Sequence, residues 1–327
     1  MTAPLLILLS VLTLQTRGTS AAQDPAEKSG RNEPAPFTLA ALRRDGIVSP
    51  FAVFDGKRWS VPWPTDLAAD QRRVKTGIPV QWWGKTGPLT EMVAWVNGIN
   101  RGVVHLTRPV LLRVMCEWRL GLASDYKSEQ SPPPQPVQPY PKDGLAVSGT
   151  QQVDAIEIVS AESPEWTPTA AYLKEEFDLA EQEAIRHYTA WRDPIPRSVR
   201  RNTPVELEAM YRAPMDQEGW TAYYVEGVKR YAPGPDDDGC GLVSSASGWM
   251  MVGPKGQRWV KLHGNVTYCD RRGVTFMLPL GLIKAQGKSY WAFQLSGYGR
   301  EGYMVARPTP NGAETVTHYS AAFCPLS

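Results

Sequence analysis

Residues 241–268 read GLVSSASGWMMVGPKGQRWVKLHGNVTY and decide the fold class. Two strand-like runs, 241–252 and 258–268, flank the turn-rich loop 253–257. β-prone runs joined by a short loop containing glycine and proline are typical of a hairpin. We therefore expect an antiparallel pair of strands centred on Lys255.

The hairpin also predicts a disulfide. The chain has four cysteines, Cys116, Cys240, Cys269 and Cys324. Cys240 and Cys269 are almost equally far from Lys255, so a hairpin with one bulge, at Gly248 or Gly264, brings them face to face within disulfide reach. We predict the pair Cys240–Cys269, which leaves Cys116 and Cys324 to pair with each other or to stay reduced.

Short β-prone runs recur through the chain and predict a mainly β protein. The clearest is the Asp55-Gly56 dipeptide between 51–54 and 57–61, a two-residue hairpin signal. Further strand-like runs are 78–83, 92–96, 103–106, 110–120, 205–212, 220–231, 274–283, 289–296, 302–307 and 314–320. Their spacing favours antiparallel sheets arranged as a sandwich or a barrel.

One amphipathic helix is predicted at about 168–192. Its apolar stripe, at helical spacing, is Leu173, Phe177, Ala180, Ala184, Tyr188 and Trp191. The opposite face carries Lys174, Glu175, Asp178, Glu181 and Glu183. We expect the stripe to pack on a sheet and the charged face to be solvated.

The start of the chain predicts export. The apolar run 5–14, LLILLSVLTL, followed by small residues up to Ala22, is typical of a signal peptide over 1–22. No cysteine precedes Cys116, which excludes a lipid-anchored cysteine at the cleavage site, and no later run is long enough to span a membrane. We expect a secreted or periplasmic protein.

Composition divides the remainder into regions. A polar leader at 23–36 is expected to be disordered, and a β-rich N-terminal region to cover 37–127. The SPPPQPVQPYP stretch predicts a proline-rich linker at 128–148. A β-rich C-terminal domain containing the helix follows at 149–327.

Charge and motifs exclude several functions. With 35 basic and 33 acidic residues among 327, the net charge of +2 gives no nucleic-acid footprint. The GYGREG sequence at 297–302 matches a phosphate-loop pattern, but a strand-like run follows it, so we interpret it as a hairpin turn and expect no cofactor. Asp236, Asp237 and Asp238 are read as a solvated turn, with a bound cation as the alternative.

Twelve tryptophans are an unusually high number for this length. Trp82 and Trp83 are adjacent, so on a strand they would face opposite sides, and Trp59 and Trp63 follow the Asp-Gly turn. Such rings either fill a core or stack on a sugar or peptide ligand. We predict these four as candidates for ligand stacking.

No catalytic motif is found. The four histidines are dispersed, and neither HExxH nor GxSxG occurs. We therefore expect a non-catalytic binding or scaffold protein of the envelope or extracellular space, with a glycan or another envelope component as its ligand. The alternative is a secreted carbohydrate- or peptide-active hydrolase whose residues lie on distant loops.

Asn265 begins a glycosylation sequon, Asn265-Val266-Thr267. Oligomeric state is left open.

Overall fold

The computed structural model describes residues 35–64, 67, 77–133, 137, 139–187, 195–232, 241–269 and 271–324. It confirms a mainly β fold, with 54% of residues in strands and 14% in helices. All strand pairs are antiparallel. The predicted signal peptide and nearly all of the predicted leader lie outside the described residues.

The first half of the chain forms a closed six-stranded barrel. Its strands, together with the flanking β3, are β1 (Phe37–Arg43), β2 (Ile47–Phe54), β3 (Trp59–Ser60), β4 (Glu91–Val96), β5 (Ile99–Val114), β6 (Glu117–Ser124) and β7 (Lys142–Val147). The order is β1-β7-β4-β5-β6-β2, and a further pairing of β2 with β1 closes the barrel. Because the barrel is closed, its six strands have no free edge. The short β3 lies beside β2 and is not part of the closed ring.

The second half forms two five-stranded sheets. The outer sheet comprises β9 (Glu157–Ile158), β10 (Glu206–Pro214), β11 (Thr221–Arg230), β12 (Leu242–Val252) and β13 (Arg258–Tyr268). The central sheet comprises β8 (Val153–Asp154), β14 (Thr275–Ala285), β15 (Lys288–Gly297), β16 (Arg300–Thr309) and β17 (Gly312–Phe323). In each sheet the four long strands form a meander, and a two-residue strand, β9 in the outer sheet and β8 in the central sheet, lies at one edge.

The central sheet is covered on both faces. Tyr290 and Ala292 on β15 join the barrel core, whereas Trp291 and Phe293 join the core against the outer sheet. Alternation of side chains across a strand explains this division, and burial on both faces explains why β15 is a nearly continuous apolar run.

This shared core corrects the predicted linker. Residues 142–147 were assigned to a linker at 128–148, but they form β7, which lies between β1 and β4. Barrel residues and central-sheet residues belong to one cluster, so no boundary between separate cores falls at this point. The proline-rich segment ends before the strand that it was expected to include.

Helix α1 (Trp166–His187) covers the face of the outer sheet that is turned away from the central sheet. Leu173 and Phe177 are buried there, as the stripe predicted; Tyr188 and Trp191 lie outside the described residues. The predicted solvation of Glu181 is wrong. This carboxylate is buried beneath the helix, where it accepts hydrogen bonds from Lys229 and Tyr231 of the sheet.

Two predicted strands are also wrong. Residues 78–83 contribute to a 3-10 helix (Val80–Thr86). The run 110–120 is broken by a two-residue turn at Met115-Cys116, with Val114 opposite Glu117. Met115 takes a φ of 52°. Neither methionine nor cysteine is typical of turn positions with a positive φ, so the sequence does not indicate this turn. A short helix, α2 (Arg197–Asn202), was not predicted.

The β12–β13 hairpin is confirmed, but without a bulge. Its register runs unbroken from Leu242 opposite Tyr268 to Val252 opposite Arg258. Gly248 and Gly264, expected at bulges, are instead points of close approach: a Cβ on Gly264 would lie 2.4 Å from the Ala180 carbonyl oxygen of α1.

The disulfide predictions fare differently. Cys116 and Cys324 are bonded to each other, with Cα atoms 5.1 Å apart, and tie the β5–β6 turn to the end of the chain. Cys269 is disulfide-bonded directly after β13. Cys240 lies outside the described residues, so the pair Cys240–Cys269 stays a prediction.

The close approach at Gly264 makes a prediction about helix packing. We expect Gly264→Ala to lower the free energy of unfolding by about 1–3 kcal/mol, because the added methyl must displace a backbone carbonyl. Gly227→Ala on the same face is the control, since its Cβ would first meet a movable Val205 methyl at 3.1 Å. Urea denaturation measures both. An equal or smaller loss for Gly264→Ala would contradict this packing.

Candidate functional site

The four tryptophans proposed for stacking all pack against protein. Trp82 and Trp83 were expected on opposite faces of a strand, but both are buried, with 8% and 4% of their surface exposed. Trp63 is buried as well. The Trp59 ring lies 5.3 Å from that of Tyr290, edge to face. Trp63, Trp82 and Trp83 therefore have little ring surface open to a glycan, whereas Trp59 is partly buried. Their stacking role stays a prediction, which burial disfavours.

The predicted aspartate cluster gives no structural information, because Asp236, Asp237 and Asp238 lie outside the described residues. Within the described ranges, no group of three or more His, Cys, Asp or Glu side chains could hold a metal ion. No helix in that part of the chain is long and apolar enough to cross a membrane.

Polar side chains gather instead between the outer and central sheets. Glu226 on β11 is opposite Ser247 on β12, which is opposite His263 on β13. Ser245 and Asn265 form the next row, two residues along each strand and therefore on the same face. The same face of β11 and β12 is apolar further along, where Tyr224, Trp249 and Met251 pack against the central sheet.

Where this face becomes polar, the two sheets leave a cavity of about 190 Å³, which we call the inter-sheet pocket. The side chains that line it come from β10 to β14 and include Glu208, Glu226, Ser245, Ser247, His263, Asn265, Arg271, Thr275 and Phe276. No two of the charged groups are close in sequence, so no motif signals the pocket. The alternating serines of β12 and the glutamate inside an apolar strand were the only visible hints.

Glu226 is the central group of the pocket, and it is 6% exposed. Its Oε1 accepts a hydrogen bond from the Met277 amide of β14 at 2.5 Å, while the Tyr211 hydroxyl donates to the Met277 carbonyl. Burial raises the pKa of Glu226 to about 7, with a smaller contribution from the Glu208 charge, and the Met277 amide and the Arg271 charge oppose that rise only in part. No Lys, Arg or His of the described chain forms an ion pair with it.

Glu208, the second carboxylate, is in the opposite situation. It occupies a β-bulge in β10, and its oxygens accept from Arg230 at 2.7 Å and from Arg271. The Arg271 guanidinium also lies over the Phe276 ring, 5.2 Å from its centroid. Glu208 is therefore compensated by cations, whereas Glu226 is not.

Two further polar atoms at the pocket are left unsatisfied. Ser245 is 7% exposed, and its Oγ has no hydrogen-bond partner among the residues that the structure describes; the same holds for Nε of Arg271. Buried polar groups are normally hydrogen-bonded, so each such group calls for an explanation. A ligand that occupies the pocket is the explanation we adopt.

A larger cavity of about 400 Å³ lies beside the barrel but makes no such demand. Its carboxylates have protein partners. Asp143 accepts from Tyr126 and Arg44, Asp125 pairs with His105, and Glu129 pairs with Arg101. This cavity is larger than the inter-sheet pocket, but the inter-sheet pocket is the one with unsatisfied polar atoms.

Comparison with known proteins finds no matching family model, no matching curated protein and no matching solved structure. The geometry of the pocket is therefore the basis of the functional argument.

The absence of a partner for the Ser245 hydroxyl can be checked by mutation. We expect Ser245→Ala to leave stability unchanged or to raise it by up to about 1 kcal/mol, because an unpartnered buried hydroxyl is a cost to the fold. Ser124→Ala, a control outside the pocket, should lower stability by about 1 kcal/mol, since the Ser124 hydroxyl donates to the Gly46 carbonyl at 2.7 Å. Thermal unfolding followed by calorimetry compares the two. Equal losses would show that the fold already uses the Ser245 hydroxyl.

Proposed function

We propose that the protein is exported and binds a small polar ligand in the inter-sheet pocket, at the cell envelope or outside the cell, without catalysis. The observation that carries the proposal is the buried Glu226 carboxylate, which forms no ion pair with the described residues, while the Ser245 hydroxyl has no hydrogen-bond partner among them. A binding protein commonly presents a few such convergent polar groups in a concave site. The pocket is smaller than the roughly 300–1,000 Å³ typical of drug-sized ligands, so it suits a small molecule or the end group of a larger one, such as a glycan terminus.

Export is supported by covalent chemistry. The Cys116–Cys324 bond joins residues 208 positions apart, and bonds of this kind persist in oxidising compartments. The apolar run at 5–14 is consistent with a signal peptide that directs the chain there. The disulfide is compatible with an extracellular location.

A second candidate, a carbohydrate-active hydrolase, is favoured by one observation. Two carboxylates in contrasting environments line the same pocket: Glu226 is buried and forms no ion pair with the described residues, and Glu208 is paired with two arginines. Such contrast is what separates a general acid from a base. A serine peptidase is less suited, because Ser247 lies between Glu226 and His263, whereas a triad requires histidine in the middle.

Titration of the isotope-labelled protein by two-dimensional NMR tests the proposal. The probes are ethanolamine, ethylene glycol, methyl glucoside and acetate, each at millimolar concentration. We expect at least one probe to shift the backbone amides around Ser245, Ser247 and His263 more than those of the barrel. If no probe moves these amides, the pocket is not a binding site.

Hydrolysis assays separate the two candidates. The binding proposal predicts no turnover of nitrophenyl glycosides by the wild-type protein. Turnover that is lost in Glu226→Gln, with Glu206→Gln unaffected, would overturn the non-catalytic proposal in favour of the hydrolase. Glu206 is the matched control because it is an exposed carboxylate of β10 outside the pocket.

A further inference from the structure

None of the described charged side chains around Glu226 forms an ion pair with it, although Arg271 lines the same pocket. From β10 comes Glu208, which Arg230 and Arg271 neutralise, and Arg271 follows β13 and is itself paired with Glu208. β12 contributes serines, β13 contributes His263, and β14 contributes no charged side chain between Val274 and Met277. When Glu226 is ionised, its charge is therefore the one in the described part of the pocket without a counterion.

We infer that the pocket recognises a primary ammonium group on a small organic molecule, with the ammonium paired to Glu226. This rests on the function proposed above and names the chemical class of its ligand. An anion would meet two carboxylates, and a neutral polyol would leave the buried charge uncompensated, at a cost that burial makes large. An ammonium supplies a counterion for Glu226 and a donor for the Ser245 hydroxyl oxygen, whereas the Arg271 Nε donor requires an acceptor elsewhere on the ligand.

The arrangement of acceptors fits this group. An ammonium has three N–H donors and no acceptor. The Met277 amide already donates a hydrogen bond to Oε1 of Glu226, so we assign the ammonium to the other carboxylate oxygen, Oε2. Ser245, Ser247 and Asn265 present neutral oxygens on the same face of the two adjacent strands. Directly opposed residues on neighbouring strands are about 5 Å apart, so one small head group can reach several of them.

Proton linkage follows from the same placement. Because burial raises the pKa of Glu226 to about 7, much of the free protein carries a neutral Glu226 at pH 6. An ammonium binds the ionised form, so binding at pH 6 releases a proton. The affinity should rise as pH increases towards 7 and level off above it, with a slope that approaches tenfold per pH unit well below the pKa.

Isothermal titration calorimetry of the full chain with ethanolamine tests the inference, and ethylene glycol is the matched probe because it replaces the ammonium with a hydroxyl. We expect the wild-type protein to bind ethanolamine at least tenfold more tightly than ethylene glycol at pH 7.5. At pH 6 the binding enthalpy should depend on the ionisation enthalpy of the buffer, which reports the released proton.

Variants assign the effect to Glu226. Glu226→Gln keeps an oxygen for the Met277 amide and removes the charge, so we expect at least a tenfold loss of ethanolamine affinity and no remaining pH dependence. Glu206→Gln should bind as the wild type does. If Glu226→Gln does not fold, the comparison of the two probes on the wild-type protein still decides the inference.

The outcomes separate this inference from the function beneath it. Equal binding of ethanolamine and ethylene glycol, or unchanged affinity in a folded Glu226→Gln variant, overturns the ammonium assignment. If neutral probes shift the pocket amides while ethanolamine does not, the ammonium assignment fails and the binding function stands. If no probe binds the pocket, both fail.

Discussion

Burial of the central sheet on both faces is the constraint on which the rest of the structure depends. Tyr290 and Ala292 contribute to the barrel core, and Trp291 and Phe293 contribute to the core against the outer sheet. Removing either layer would expose one apolar face of every central strand, at about 25 cal/mol per Å² of apolar surface. The barrel and the sandwich are therefore held as one structure by a layer that both require.

Even the charged groups at this boundary are paired. Lys142 of the barrel strand β7 donates to Glu301 of β16 at 2.7 Å, with both side chains almost fully buried, and the Tyr303 hydroxyl donates to the same carboxylate oxygen. Breaking one side of such a pair leaves an uncompensated buried charge. Lys229 and Glu181 are matched in the same way beneath α1. Glu226 differs from all of these, because its hydrogen bond to Met277 satisfies the backbone without neutralising the charge.

Local patterns predicted the fold to the extent that local chemistry determines it. The period of two, the β12–β13 hairpin and the apolar stripe of α1 follow from side-chain alternation and turn composition. The hairpin predicted at Asp55 is present, but its two-residue loop is Gly56-Lys57. The loop is shifted by one residue because the Asp55 amide donates to the Arg58 carbonyl, and the Asp55 carboxylate accepts from the amides of Lys57 and Arg58. Met115-Cys116 was missed because neither residue favours a positive φ, and β7 was missed because the preceding prolines dominated its surroundings.

The site could not be derived in this way. Glu208, Glu226, Ser245 and Arg271 meet only because three strands and a turn are stacked against β14, and no sequence motif links them. Glu181 shows the same limit. It lies on the charged face of the helix, yet it is buried where it accepts a hydrogen bond from Lys229, 48 positions away in the sequence. Pairings at such separations depend on strand order, which no single segment encodes.

The central claim is that Glu226 is a buried carboxylate without an ion-pair partner among the described residues, and its titration tests this most directly. Carbon-13 NMR of side-chain carboxyls, with Glu226→Gln used to assign the resonance, measures its pKa in the ligand-free protein. The account predicts a pKa of about 7 for Glu226. A midpoint near the ordinary value of 4.5 would contradict it, because the carboxylate would then be solvated or already paired with a cation.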